Sequence, residues 1–491
     1  MKIKYILLAI IFTGILSSCE DYLSEVPDNR TQIDNKEKVQ ELLVGAYPDN
    51  YYAPFLETMS DNFADKGNIS ATSNEYLSAY SWEPITTEDS DTPISYWNSC
   101  YKAIAQANQA LASIEELEGK YDLEAEKAEA LLTRAYNHFM LVNIWAKHYD
   151  PATADSDLGV PYVLEPETDA IKEYSRNTVQ EVYDFIQQDI EEALPLIENN
   201  FNQPTFHFTP EAAKAFAVRF YAFKGDWENV VSYSTDILTN PSNKIKDWEY
   251  YYDNLQTSEI RVEVMSPQEE SNLLLVVPYS NWFEDIAFQR FGLSVNLLNE
   301  LFQSANPVGK GWAYSIAWYG TSVTYKVNKF DYIFEYTDIT ADIGYRRTSV
   351  ALLTYDEVLL ARAEANAMLG NYESSVADIN IFLSKKTFGY NPQTDELLTD
   401  DILNYYQVTS EYQPYYELNE DKAAFVKFIA ELRRREFWGE GLRWFDIKRF
   451  HLPVVHEFAN QPTDTLKTND LRRELQIPPT ATAFGIEDNP R

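Results

Sequence analysis

The chain has 491 residues, 45% of them hydrophobic and 14% aromatic, enough to bury a large core and to permit more than one domain. Its 77 Asp and Glu against 40 Lys and Arg give a net charge of −37, which sets nucleic acid and anionic lipid surfaces aside as partners. Only two cysteines occur, Cys19 and Cys100, so no disulfide framework is expected.

At the N-terminus, Lys2 and Lys4 precede an apolar run over residues 5–16. That is the length of a signal-peptide core and well short of the ~20 apolar residues that span a bilayer. Leu16-Ser17-Ser18-Cys19 closes the run and reads as a bacterial lipoprotein signal, with a thioether lipid on Cys19 and cleavage before it. The alternative is an ordinary signal peptide that happens to end at a cysteine. Several acyl chains on Cys19, each burying CH₂ groups at ~0.8 kcal/mol apiece, would make a stable anchor. Cys100, within Tyr96-Trp97-Asn98-Ser99-Cys100-Tyr101, has no histidine near it in sequence and reads as a small buried apolar residue.

Helical periodicity dominates the body. Leu131, Leu132, Ala135, Phe139, Val142 and Ala146 recur at three- and four-residue steps, which places them on one packed face. Thr178 with Glu181, and Thr354 with Glu357, match the capping box, and Thr209-Pro210 puts a cap directly before a first-turn proline. A weak repeat follows. Residues 219–225 and then Asp226-Trp227-Glu228 parallel residues 362–370 and then Asn371-Tyr372-Glu373. In both, a helix ends at glycine and an aromatic two residues later opens a second helix. Arg134-Ala135-Tyr136 marks a third copy. This is the pattern of tetratricopeptide-like hairpins, which bury their faces only by stacking. The copies are unevenly spaced, so the expected fold is mainly α, an interrupted solenoid with long insertions over residues 51–93, 240–329 and 389–419. Within these, residues 271–278 carry Leu273-Leu274-Leu275-Val276-Val277 and are expected to form a short buried strand. Long ordered loops usually carry function, so the insertions are expected to form a binding surface.

Catalytic patterns are scarce. The five histidines, His138, His148, His207, His451 and His456, lack metal-ligand spacing, and Gly309-Lys310-Gly311 lacks the remainder of a phosphate-cradling loop. No metal, cofactor or catalytic residue is expected. Glu436 and Glu440 are the carboxylate pair best placed for a glycosidase. They lie, however, in a segment over residues 431–449 where Arg and Lys interleave with the acids, which suits an ionised structural network better than a general acid.

The Glu, Arg, Glu, Gly, Arg, Asp, Arg order of that segment resembles the C-terminal signature of the SusD/RagB family, outer-membrane lipoproteins of Bacteroidetes-type bacteria. Cys19-Glu20-Asp21-Tyr22-Leu23 resembles the family's lipidated start. Tyr96-Trp97-Asn98 with Tyr101, Ile104 and Asn108 resembles its first long helix, and Arg134-Ala135-Tyr136 and Arg362-Ala363-Glu364-Ala365 two further ones. Ile477-Pro478-Pro479 with Asn489-Pro490 resembles its proline-bearing end. The resemblance implies about four tetratricopeptide-like hairpins wrapped by an irregular subdomain with few short strands. It divides the chain into a signal peptide at 1–18, an N-terminal region at 19–330 and a C-terminal region at 331–491, in one compact body. It also implies a surface-exposed outer-membrane protein, exported with the help of Glu20 and Asp21, that sits as a lid on a SusC-like TonB-dependent transporter.

An oligosaccharide is the first ligand expected, because sugars need exposed aromatic platforms with a few polar hydrogen-bonding groups beside them. Trp312, Tyr314, Trp318 and Tyr319 in one insertion, and Tyr80 and Trp82 near Asp65 and Asn68 in another, are the candidate ligand residues. Trp97 and Trp444 are assigned to packing, and Tyr405, Tyr406, Tyr412, Tyr415 and Tyr416 form a reserve cluster. A peptide-binding lid, as in the RagB branch, and a surface glycoside hydrolase are the competing readings.

Overall fold

The computed structural model describes residues 33–67, 73–167, 172–319 and 324–491. Cys19 and the signal peptide lie outside them, as do Asn68 and the side chain of Tyr319.

Long helices dominate the described residues: α1 (Pro93–Glu116), α2 (Glu124–Trp145), α3 (Val179–Ala193), α4 (Pro210–Lys224), α5 (Trp227–Ile237), α6 (Tyr355–Met368), α7 (Tyr372–Lys386), α8 (Glu420–Glu436) and α9 (Leu442–Arg449). Local chemistry sets their ends. Thr178 and Glu181 form the full reciprocal capping box at α3. Thr209 caps α4 ahead of Pro210, and α1 starts in the same way, with Thr92 as cap and Pro93 in the first turn. Thr354 caps α6 through the Glu357 N–H, but the Glu357 side chain does not reach back; Arg219 draws it into an ion pair instead. Gly225 and Gly370 end α4 and α6 with φ of 73° and 80°. The next residues donate across the ends, Asp226 N–H to Tyr221 O at 2.9 Å and Asn371 N–H to Asn366 O at 2.8 Å, which closes the same C-terminal motif twice.

The repeat is therefore real. Helix α2 packs on both α1 and α3, α4 pairs with α5, α6 with α7 and α8 with α9, and α6 also lies against α5 and α8. About four hairpins stack in this way.

Shorter helices and two-stranded sheets make up the rest, the sheets being β1 (Ala64–Asp65) with β3 (Phe291–Gly292), β2 (Asn272–Val276) with β8 (Val350–Thr354), β4 (Ile316–Tyr319) with β5 (Thr324–Val327), β6 (Tyr332–Asp338) with β7 (Ile343–Thr348), and β9 (Val454–His456) with β10 (Asp464–Leu466). All pair antiparallel. The expected buried strand is β2, shielded at every position.

Inside the stack, α6 carries three buried carboxylates, each met by a cation from another element. Asp356 accepts from Lys386 of α7 at 2.7 Å. Glu357 takes a two-pronged contact from Arg219 of α4, at 2.9 and 2.5 Å. Glu364 takes another from Arg449 of α9, at 2.6 and 2.8 Å, while Arg449 also reaches Asp446 at 2.9 Å. The same device joins α2 to α3, as Arg134 to Asp189 at 2.8 and 2.7 Å, and α6 to α7 a second time, as Arg362 to Asp378 at 2.8 and 2.7 Å.

The Arg-rich segment is wholly absorbed in this way. Glu436 accepts from Tyr314 Oη at 2.9 Å and faces Lys386 Nζ at 3.2 Å, and Glu440 accepts from Lys329 at 2.7 Å. Both are buried, which leaves neither placed to meet a substrate. On either side of Glu440, Gly439 and Gly441 adopt φ of 85° and 75°. A Cβ at Gly441 would stand 2.8 Å from Ala53 Cα, so only glycine fits there. Their N–H groups donate to Glu57 at 2.7 and 3.0 Å, and Asn62 adds a third bond at 2.8 Å. Burial outweighs these bonds and pushes the Glu57 carboxyl up to about 7.

Arg449→Ala strands Glu364 without its cation and leaves Asp446 to Arg433 alone, so a denaturant titration should show a loss of about 3–5 kcal/mol, most of it recovered in Arg449→Met with Glu364→Leu. Glu57 supplies a second test. An acid with a raised folded pKa adds stability that is full below its unfolded value and disappears as the pH rises through the folded one. The unfolding free energy of the native chain minus that of Glu57→Gln should therefore fall between about pH 5 and about pH 8.

Candidate functional site

Five of the residues expected to touch ligand are built into the interior. Trp82 is 4% and Tyr80 1% exposed, and their rings sandwich His456, with centroids 4.3 and 3.8 Å away. Trp82 donates its indole N–H to Met59 O at 2.9 Å, and Tyr80 donates to Glu457 O at 3.1 Å. One edge of Trp82 borders a cavity of about 190 Å³ shared with Pro84, Ile85, Pro478 and Arg472. Asp65 is fully engaged, by Arg290 at 2.7 and 2.5 Å and by the N–H groups of Gly67 and Ala459 at 2.8 and 2.9 Å. Tyr314 and Trp312, 4% and 5% exposed, close over the signature segment, Tyr314 on Glu436 and Trp312 beneath the Arg435 guanidinium at 5.3 Å. In this structure these side chains pack against the fold, and no ring face among them is open to a sugar.

Trp318 differs. It is 67% exposed on β4, directly opposite Tyr325 of β5. Strand β5 packs on the short helix Trp282–Phe288, whose last residue is also exposed, and Leu293 just beyond β3 bridges to Tyr325. Phe283 of that helix lies 5.1 Å from Tyr332 on β6, tilted to it, and the exposed Tyr336 shares Tyr332's face of the β6–β7 hairpin, whereas Tyr345, paired with Glu335, is on the other face beside Tyr279. Gly344 makes that hairpin possible: a Cβ there would lie 2.2 Å from Glu335 O and 2.8 Å from the Phe334 ring.

Beside the helix is a polar cavity of about 120 Å³ lined by Tyr76, Glu75, Asp91, Asn281, Asp285 and Gln289, among others. Tyr76 donates to Asp285 at 3.0 Å, and the Asn281 N–H donates to Asp91 at 2.8 Å. Burial raises both carboxyls above the usual carboxylate range, and the Asp285 charge helps push Asp91 to about 7. Asp91 holds a left-handed φ of 67°, a conformation that asparagine and aspartate tolerate better than other side chains.

Phe288, Tyr332, Tyr336, Tyr345 and Asp285, which the structure leaves exposed or lining the cavity, are not among the residues expected from sequence to touch ligand. The signal for the tyrosines was present, as two alternating runs on either side of Asp342-Ile343-Gly344. The reserve tyrosines are mostly structural: Tyr412 is buried, Tyr415 donates to Lys224 O at 2.5 Å over the end of α4, and Tyr416 meets Trp227 edge-on at 5.1 Å. Trp97, Trp444 and Cys100 are buried as expected, and burial raises the Cys100 thiol above its usual range. Among the described residues, no group of three or more His, Cys, Asp or Glu is placed to hold a metal ion.

Trp82→Ala should cost about 3–5 kcal/mol of stability in a denaturant titration, the range for deleting a buried tryptophan. Trp318→Ala should stay within about 0.5 kcal/mol of the native chain, as exposed substitutions do.

Residues 21–222 match a family described as "Starch-binding associating with outer membrane", and residues 295–483 match the SusD family. A SusD-like protein of Formosa agariphila is 22% identical over 92% of each chain. Among solved structures, a putative sugar binding protein of Bacteroides vulgatus superposes with a TM-score of 0.69 at 18% identity, covering 94% of this chain and 99% of that one. A SusD superfamily protein of Bacteroides thetaiotaomicron gives 0.66 at 20% identity, over 93% and 99%. A laminarin binding SusD-like protein gives 0.63 at 17% identity, over the same shares. With two family matches that together take in most of the sequence, and the same hairpin fold in these structures, the chain belongs to the SusD/RagB family.

Proposed function

We propose that this protein is a non-catalytic surface lipoprotein that captures an oligosaccharide and delivers it to a SusC-like TonB-dependent outer-membrane transporter. The observation that carries the reading is the 67% exposed indole of Trp318, set on the strand pair packed against the Trp282–Phe288 helix and its polar cavity. A flat C–H sugar face stacks on such an indole, and hydroxyl edges donate to carboxylates such as Asp285 and Glu75. Tyr319, next along β4, belongs to the same proposed platform. The family description and the laminarin-binding relative support a sugar as the cargo.

In this reading, residues 1–18 are removed as a signal peptide and the lipid on Cys19 tethers the body, residues 19–330 with 331–491, at the outer face of the outer membrane. The lead from residue 21 to about residue 33 is the tether on which the lid swings. The helical hairpins face the transporter and the irregular face meets the ligand.

Calorimetry with the chain from residue 20 onward, against panels of oligosaccharides and of peptides, tests the proposal. The expected result is micromolar binding of an oligosaccharide with no product released, weakened roughly tenfold in Trp318→Ala, as losing a stacking contact of about 1.4 kcal/mol requires. Binding of peptides alone would replace the sugar reading with the RagB-like one. Sugar release that survives in Trp318→Ala and stops in Glu436→Gln would make the protein a hydrolase.

A further inference from the structure

We propose that the ligand captured on this face is an uncharged oligosaccharide, free of uronate and sulfate groups. The inference rests on the oligosaccharide reading above and concerns which sugars that face admits. Recognition of an anionic glycan needs a cation or a cluster of donors left over from the fold. Each Lys and Arg described around the face is already committed. Arg290 is held by Asp65, Arg346 by Glu284 at 2.6 Å, and Arg347 by Glu335. Arg261 pairs with Asp331 at 3.4 Å. Lys66 and Lys326 donate to the carbonyls of Ala287 and Phe283 at 2.8 and 2.9 Å.

The acids are in a different position. Asp91, Asp285 and Glu75 line one cavity, and among the described residues none of them forms an ion pair; their partners are N–H and O–H donors. Asp338 caps its own turn, and Asp342 follows it at the tip of the β6–β7 hairpin. The two stretches outside the described residues that adjoin Gly67 and Tyr319 in sequence, 68–72 and 320–323, are Asn-Ile-Ser-Ala-Thr and Gly-Thr-Ser-Val. Neither can supply a cation, whatever its conformation.

The local balance is therefore acceptor-rich and negative. A uronate or sulfate brought to it must break an existing ion pair, draw Lys66 or Lys326 off the carbonyl it holds, or sit unpaired among acids. Neutral hydroxyls meet none of these penalties and can donate to acceptors such as Asp91 Oδ1, which is buried without a hydrogen-bond partner. The remaining charge of the chain matters less, because beyond about 8 Å physiological salt screens it.

The test compares matched glycans against the mature chain: glucan hexamers of α-1,4 and β-1,3 linkage and neutral galactan oligomers, each beside its uronate or sulfated counterpart of equal length. A neutral glycan should bind at least roughly tenfold more tightly than its charged counterpart, a difference of ~1.4 kcal/mol. Its affinity should change less than about twofold between about 50 and about 500 mM salt, since no charge pair is screened. Glu284→Gln, at a half-exposed position, releases the Arg346 guanidinium and should narrow the neutral-to-charged gap several-fold. A uronate or sulfated glycan that binds as tightly as its neutral partner overturns the inference and leaves the oligosaccharide reading standing. Failure of every glycan, with peptides bound instead, overturns both.

Discussion

A carboxylate buried inside a helical stack is tolerable only if a cation is brought to it, and α6 buries three. Asp356, Glu357 and Glu364 draw Lys386, Arg219 and Arg449 from three other helices, so the positions of α4, α7 and α9 around α6 are fixed by charge as well as by shape. Apolar packing alone would let neighbouring hairpins slide at modest cost, whereas moving an arginine fork away from its carboxylate leaves two unpaired charges in the core. Interrupted hairpins with long insertions need such registration more than an even array does. Each insertion lengthens the loop that has to close, and no regular repeat sets the spacing.

The proposed binding face is mounted on the same network. Lys329, just after β5, reaches Glu440 and the Glu436 carbonyl, so the β4–β5 pair that carries Trp318 is anchored to the signature segment. Trp282, at the start of the helix beside the polar cavity, donates its indole N–H to Gly439 O at 2.7 Å, inside the turn whose N–H groups bind Glu57. The left-handed glycines matter here because they let the turn aim two N–H groups at one carboxylate while a carbonyl points at Trp282. The proposed sugar platform is thereby given a rigid base, which would limit the ordering cost of binding.

Features of the fold that depend on neighbours along the chain are legible in the amino-acid sequence alone. Thr178 with Glu181, Thr209 before Pro210, and Gly225 and Gly370 at helix ends all act within one turn of chain. Thr354 with Glu357 shows the limit: the N-cap forms, but a distant arginine outcompetes the local bond for the glutamate. The interleaved charges of residues 431–449 also declare a network, though not its partners, since Asp61, Glu364 and Lys329 lie far off in sequence.

The ligand face is legible only in part, for a physical reason. Whether an indole is a platform or a core residue depends on what covers it, and cover is tertiary. Trp82 and Trp318 both sit in insertions rich in polar residues, yet His456, 374 positions beyond Trp82, comes back to stack on one and nothing described covers most of the other. Charge is less deceptive, because a segment with no Lys or Arg cannot provide a cation in any fold. The exclusion of anionic glycans therefore draws on sequence for residues 68–72 and 320–323 and on geometry for the cations already paired. Of the two properties of this face, its charge is thus set more firmly than its shape.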